Sequence, residues 1–261
     1  MIKSLFTAAT GMEAQQTRIA VVANNIANMN TTGFKASRAE FQDLIYEVRQ
    51  TPGGEVASGV TAPSGLQIGS GVNVVSTQTM HNQGTMEQTS NSLDLAIEGP
   101  GFLAVQLPSG DTAYTRAGSL SINASGQLVN QNGFLVLPPI TVNTQGTDRR
   151  IGIDGTVSAT APGATAPTVE GNIQLWTFAN DAGLQAVGRN LFKETTVSGT
   201  ATSGTPASTG FGAVRQGFLE SSNVNIAEEL IKMILSQRAY ELNGKVISTS
   251  DQMLNSTTNL R

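Results

Sequence analysis

The chain has 261 residues and a formal net charge of −4, with only 13% of its residues charged. It contains no cysteine, which excludes disulfides and thiolate metal centres. Lysine and arginine form no cluster, which argues against nucleic acid as a partner, and no apolar run approaches the ~20 residues that cross a bilayer.

The first segment, MIKSLFTAATGMEAQQTRIA, lacks the pattern of a cleaved secretion signal, because Glu13, Gln15, Gln16 and Arg18 interrupt its apolar residues. Export, if it occurs, is expected to leave this end intact. Ile2, Leu5, Ala9, Met12, Ile19, Ala23 and Ile26 instead recur at three- and four-residue spacing, with Gln16 as the polar exception, and predict an amphipathic helix. Gly11 weakens it, so its helicity is expected to depend on packing. The helix stops in ANNIANMNTTGFK, where Gly33 can take the left-handed conformation. Phe34, Phe41, Leu44, Ile45 and Val48 allow a second, shorter amphipathic segment. Thr51–Gly71 is rich in Gly, Pro and Ser and reads as a linker or mobile loop.

From Phe102 onward, short apolar or alternating runs predict strands: Phe102–Leu107, Leu120–Ile122, Phe134–Leu137, Ile140–Val142, Ile151–Ile153 and Ile173–Phe178. Turn chemistry separates them at Pro108–Asp111, Asn123–Gly126, Asn132-Gly133, Asp154-Gly155 and Asn180–Gly183. The pattern is that of an antiparallel β domain. Thr156–Pro167 and Thr195–Gly210 are expected to be exposed loops.

The last segment, Asn225 to Leu254, predicts a second amphipathic helix about 45 Å long. Asn225 and Glu228 have capping-box spacing. One apolar row holds Ile226, Leu230, Met233, Tyr240, Ile247 and Leu254, and a second holds Ile231, Leu235, Leu242, Val246 and Met253. Glu228–Lys232 and Glu241–Lys245 are expected ion pairs. Gln237, Gly244 and Asp251 fall on heptad-like positions, where polar residues select register and partner. The fold class is therefore α+β. Discontinuous N- and C-terminal helices form a coiled-coil-like core, in regions 1–65 and 225–261, around an inserted all-β domain at 66–224.

No catalytic, cofactor-binding or metal-binding residues emerge. His81 is the only histidine and reads as a surface or loop residue. Gly69–Gly71 and Gly99–Gly101 read as turns, without the spacing of a phosphate-binding loop. Asp94 and Glu98 flank a strand-like run and do not stand out as the carboxylate pair of a glycan hydrolase.

The pairing of ANNIANMNTTGFK with SSNVNIAEELIKMILSQRAYELNGKVISTSDQMLN resembles the bacterial flagellar basal-body rod and hook proteins. NSLDLAIEGPGFLAV and AYTRAGSLSINASGQLVNQNGFLVL between them fit the same family, so the likeness covers nearly the whole chain. The opening MIKSLFTAATGMEAQQ and the segment PSGLQIGSGV are most similar to its distal-rod members; a proximal-rod or hook-type subunit is the alternative. A secreted β-domain adhesin whose helices merely dimerise is a reading of another class, and it predicts a closed dimer.

The resemblance implies a structural subunit, not an enzyme. It would self-assemble into a rigid hollow helical tube that carries motor torque to the hook. It implies export through the flagellar type III apparatus and a place in the rod crossing the periplasm. The implied partners are other copies, proximal rod proteins, the hook protein and the surrounding P and L ring proteins. Leu5, Met12, Ile19, Ile26, Leu230, Met233, Tyr240 and Ile247 are the expected assembly residues, with Asn24, Asn25, Asn28, Gly33 and Phe34 as the N-terminal motif. Pro63, Gly65, Leu66, Gly69 and Gly71 would belong to a rod-stiffening segment.

Overall fold

A computed structural model describes residues 2–53, 55–57, 60–61, 63–143, 146, 148–162 and 166–258. The chain forms two compact units. One comprises Met1–Ala27, Ser37–Gln78 and Asn225–Arg261; the other comprises Asn28–Ala36 and Thr79–Val224. Residues 66–78 thus group with the helices, and residues 28–36 with the β region, so the division does not follow the 65/66 boundary.

In the first unit, helix α1 spans Ile2–Ala27 and helix α2 spans Ile226–Thr258. Asn225 caps α2. Its Oδ1 accepts the Ala227 N–H at 3.1 Å, while its side-chain amide donates to Glu228. This satisfies backbone donors that a helix start leaves without partners. Lys232 pairs with Glu229 and Glu241 with Arg238, both three residues apart, in place of the expected Glu228–Lys232 and Glu241–Lys245 pairs. Glu229 wins Lys232 because it lies at the edge of a buried network described below.

The segment from Phe34 to Val48 is not an amphipathic helix. It forms strand β1, Ser37–Asp43, and strand β2, Tyr46–Gln50. Tyr46-Glu47-Val48-Arg49 alternates apolar and charged residues, a period of two that suits a strand. The predicted loop Thr51–Gly71 is largely a ribbon. Strands β3 (Glu55–Ala57) and β4 (Val60–Thr61) pair antiparallel, and β5 (Leu66–Gly69) returns antiparallel along β2. Residues 54, 58, 59 and 62 of that segment lie outside the described residues. Strand β6, Val72–Thr79, pairs with β1.

The second unit is built on a seven-stranded sheet. Its spatial order is Leu120–Ile122, Leu128–Asn130, Leu135–Leu137, Leu103–Gln106, Thr112–Thr115, Leu191–Lys193 and Gln185–Gly188. The predicted turns close its hairpins, with Gly126 and Gly133 at φ of 81° and 80°. Leu95, Ile97, Leu103, Val105, Val136, Ile173 and Leu175 form the dry centre. Ile140–Val142 is not a regular strand but a buried segment bridged to Gln127 through Thr141. The strand near Ile151 is displaced to Asp148–Ile151, leaving Ile153 exposed.

Two expected loops are partly strands. Thr156–Thr160 lies at the centre of a three-stranded sheet because Val157 and Ala159 alternate inward between hydroxyl residues. Residues 163–165 of the predicted loop Thr156–Pro167 lie outside the described residues. Thr202–Gly204 pairs with Leu175–Thr177, and Ser198 is buried by hydrogen bonds with Thr195.

Candidate assembly surface

α1 and α2 run antiparallel. Ser4 meets Ser250, and Asn25 meets Glu229 at 3.2 Å. Between these pairs Gly11 faces Asn243, where a Cβ on Gly11 would lie 2.8 Å from the Asn243 amide nitrogen. The same register sets Arg18 opposite Ser236. These positions recur every seven residues on each helix, and beside them α1 buries Ala8, Ala14 and Val22 as well as Asn25. Every buried residue of α2 among those described is polar: Glu229, Ser236 and Ser250.

The greasy rows of α2 lie outside that seam. Ile226, Leu230, Ile231, Ile234, Leu235, Tyr240, Leu242, Val246 and Met253 are all exposed, Leu242 by 64%. On α1, Leu5, Met12, Ile19 and Ile26 are half-buried, as are Met233 and Ile247 on α2. The ribbon is equally uncovered: Tyr46, Val48, Leu66 and Ile68 are exposed on a two-stranded structure that is marginal alone in water. Pro63 is exposed, and Gly65 is wedged against Gln50 and Pro52. Gly69 lies beside the Tyr46 ring. Gly71, at φ 123°, passes Thr10 where no side chain would fit and accepts the Leu44 N–H. A groove of about 500 Å³ opens between α1, α2 and the ribbon, lined by Lys3, Thr7, Arg49, Ile68, Asn243 and Val246.

The N-terminal motif divides by role. Asn24 is exposed; Asn25 is buried, and its amide both donates to and accepts from the Ser37 backbone. Asn28 accepts the Thr31 hydroxyl as the chain turns. Phe34 is half-buried. Gly33, at φ 70°, lies so close to the Arg116–Ala117 backbone that a Cβ would come within 2.6 Å of the Ala117 nitrogen.

Within the second unit lies a buried ionic centre. Lys35 Nζ lies 2.6 Å from Glu220 Oε1, and both side chains are fully buried. Arg116 approaches the other Glu220 oxygen at 3.3 Å. Lys35 also donates to the Asn82 carbonyl, Arg116 donates to that of Gly99, and the Gly84 N–H donates to Glu220. Burial pulls the Lys35 and Arg116 pKa values down, against the opposing pull of Glu220.

His81 stands beside these cations on a loop, as expected, but half-buried and not on the open surface. Its ring meets Phe102 and Phe192 edge-on at 5.5 and 5.2 Å, and both ring nitrogens are buried without a full hydrogen bond. Burial first, then the charges of Lys35 and Arg116, lower its pKa to about 4. Among the described residues no group of His, Asp or Glu could hold a metal, and no helix is long and apolar enough to cross a membrane. Asp94 is buried and receives hydrogen bonds from Thr89 and Asn91, while Glu98 pairs with Arg215.

Three family descriptions match the chain. "Flagella basal body rod protein" covers residues 5–35, "Flagellar hook protein FlgE/F/G D1 domain" covers 96–159, and "Flagellar basal body rod FlgEFG protein C-terminal" covers 215–260. A flagellar basal-body rod protein FlgG from Caulobacter vibrioides is 49% identical, with both chains covered in full. One from Buchnera aphidicola of Baizongia pistaciae is 48% identical over 97% of this chain and 98% of its own. One from Bacillus subtilis is 40% identical, again with full coverage of both.

The chain belongs to the FlgG family of flagellar basal-body rod proteins.

It is a structural subunit of the flagellar distal rod and not an enzyme. Membership in the rod family places it in the basal body, where rod proteins self-polymerise. The matched regions contain the sharpest structural features: the N-terminal match includes Asn25, Gly33 and Lys35, the central one Arg116, and the C-terminal one Glu220 and Glu229. The ionic centre was missed in the sequence because its members stand 104 and 185 residues from Glu220. Each is one charged residue in a polar stretch. The only local hint is a lysine directly after Gly33-Phe34.

Proposed function

We propose that copies of this chain assemble through α1 and α2 into a rigid hollow helical tube, which transmits motor torque to the hook. The observation that carries this reading is the inverted burial of α2. Its buried residues among those described are polar, while Ile226, Leu230, Ile231, Ile234, Leu235, Leu242 and Val246 are exposed. Each half-exposed aliphatic side chain stabilises by on the order of 1 kcal/mol when covered. A continuous helical stripe of them favours repeated contacts with further copies. Contacts between unlike surfaces of successive copies generate an open helical assembly where the rotation between copies does not close a ring.

The finer assignments follow from the same reading. Proximal rod proteins and the hook protein would meet the two ends of the tube, and P and L ring proteins would surround it. The chain would reach its place in the periplasm-crossing rod through the flagellar type III apparatus, without cleavage of a signal. Leu5, Met12, Ile19, Ile26, Leu230, Met233, Tyr240 and Ile247 would contribute to the helical core. The ribbon carrying Pro63, Gly65, Leu66, Gly69 and Gly71 would stiffen the tube by lying against neighbouring copies.

Electron microscopy of the purified full-length chain, beside a form lacking residues 1–27 and 225–261, tests the reading. Straight hollow tubes are expected from the first and monomers from the second. Closed dimers of the full-length chain, without tubes at any concentration, would overturn it in favour of a binding module.

A further inference from the structure

We infer that Asn25 and Glu229 determine which faces α1 and α2 turn toward each other, keeping the apolar rows outward. The inference rests on the reading that those rows meet neighbouring copies. Two amphipathic helices left to themselves bury their apolar stripes against one another. On α2 the reverse holds, although α1 buries Ala8, Ala14 and Val22 beside Asn25, so something must oppose the rotation of α2 that would hide Ile231, Leu235 and Leu242 inside the subunit. The buried amide of Asn25 is placed to do so. Its Nδ2 donates to Glu229 Oε2 at 3.2 Å and to the Ser37 carbonyl at 2.9 Å, and its Oδ1 accepts the Ser37 N–H at 3.0 Å. Glu229 keeps its second oxygen on Lys232 at 2.6 Å.

One side chain thus ties α1 to α2 and to the first residue of β1. Turning either helix to present an apolar row would break the bond to Glu229. Turning α1 would also strip both bonds from Ser37. The rest of the seam does not resist in the same way. The Ser4 and Ser250 hydroxyls approach at 3.4 Å, long for a hydrogen bond between hydroxyls, and a Cβ on Gly11 would meet Asn243. A polar pair at one inward heptad position commonly selects register and partner at some cost in stability, and this pair extends that role to the choice of face.

The absence of native cysteine makes the test free of background. Full-length protein carrying Ser4→Cys and Ser250→Cys is oxidised at a concentration where light scattering shows only monomer. Leu242→Cys, in a separate protein, reports alkylation of the outward row. The parent is expected to form the intrachain disulfide readily and to alkylate fast. With Asn25→Leu and Glu229→Leu together, disulfide formation and alkylation are each expected to fall on the order of tenfold, the scale of a lost hydrogen bond to a charged group. Glu229→Gln retains the acceptor and is expected to match the parent.

Unchanged disulfide formation and unchanged alkylation in the double variant would overturn the inference. So would loss of the disulfide with alkylation still fast, because the helices would then have merely separated. A parent that forms no intrachain disulfide overturns it as well. Microscopy of the parent keeps the two readings apart. If both readouts move but the parent never forms tubes, the choice of face stands and the polymer reading falls.

Discussion

Glu220 stands between two cations with no access to water, and its removal is far more costly than its isolated charge suggests. The attraction of Lys35 and Arg116 offsets the desolvation of all three groups only while the carboxylate is present. Glu220→Gln is therefore expected to destabilise the β unit by roughly 3–5 kcal/mol, read as a lower urea midpoint. A loss below about 1 kcal/mol would mean the two cations reach water in the variant. His81 adds a dependence on acidity. Its folded pKa, about 4, lies below the ordinary 6.5, so above pH 6.5 it is neutral in both folded and unfolded chains and has no effect on their balance. As pH falls from 6.5 toward 4, the unfolded chain takes up the proton first and stability declines. His81→Phe preserves an aromatic edge toward Phe102 and Phe192 and should flatten that part of the stability–pH curve. An unchanged slope in the variant would assign the acid sensitivity to other groups.

At the scale of elements, the helices show how much a heptad pattern conveys. The start and cap of α2 and the extent of α1 were legible, because they depend on local chemistry at Asn225 and the three–four spacing, while α2 runs to Thr258, beyond the expected end at Leu254. The inward face was not legible. Ser4, Gly11, Arg18 and Asn25 satisfy the same seven-residue repeat as Leu5, Met12, Ile19 and Ile26, and periodicity cannot tell one row from the next. The ribbon was hidden for a different reason. Gly, Pro and Ser dominate Thr51–Gly71, and its strands are held by pairing, β5 with β2 and β3 with β4. Asn225→Ala is expected to cost about 1 kcal/mol, confined to the first turn of α2. Hydrogen exchange should show faster opening at Ala227 with no change near Ser250; uniform acceleration along α2 would mean that the cap supports the whole helix.

At the scale of the molecule, the two units place different demands on the chain. The β unit has its own dry core and ionic centre, whereas the helical unit leaves nine large apolar side chains of α2 exposed. The helical unit is therefore expected to gain most of its stability on assembly, as any equilibrium linked to binding of the folded form does. Thermal scans across a range of concentrations should raise the helical transition and leave the β transition fixed; coincident transitions at all concentrations would show that the units unfold together. Deleting residues 51–71 is expected to yield curved or flexible polymers by electron microscopy. Straight, rigid polymers from that variant would remove the ribbon from any stiffening role.

The sequence alone determined the elements that answer to neighbours a few residues away: two terminal helices, the hairpin turns at Gly126 and Gly133, and the left-handed conformation of Gly33. It also carried the family resemblance, because the terminal motifs keep their order. Only the tertiary structure decided that α2 buries its polar residues and exposes its apolar rows, that Lys35, Arg116 and Glu220 share one buried site, and that His81 packs against the Phe102 and Phe192 rings. Those outcomes depend on which distant residues exclude water from one another. That choice is made by the packing of the whole chain and leaves no period or spacing in the sequence to read.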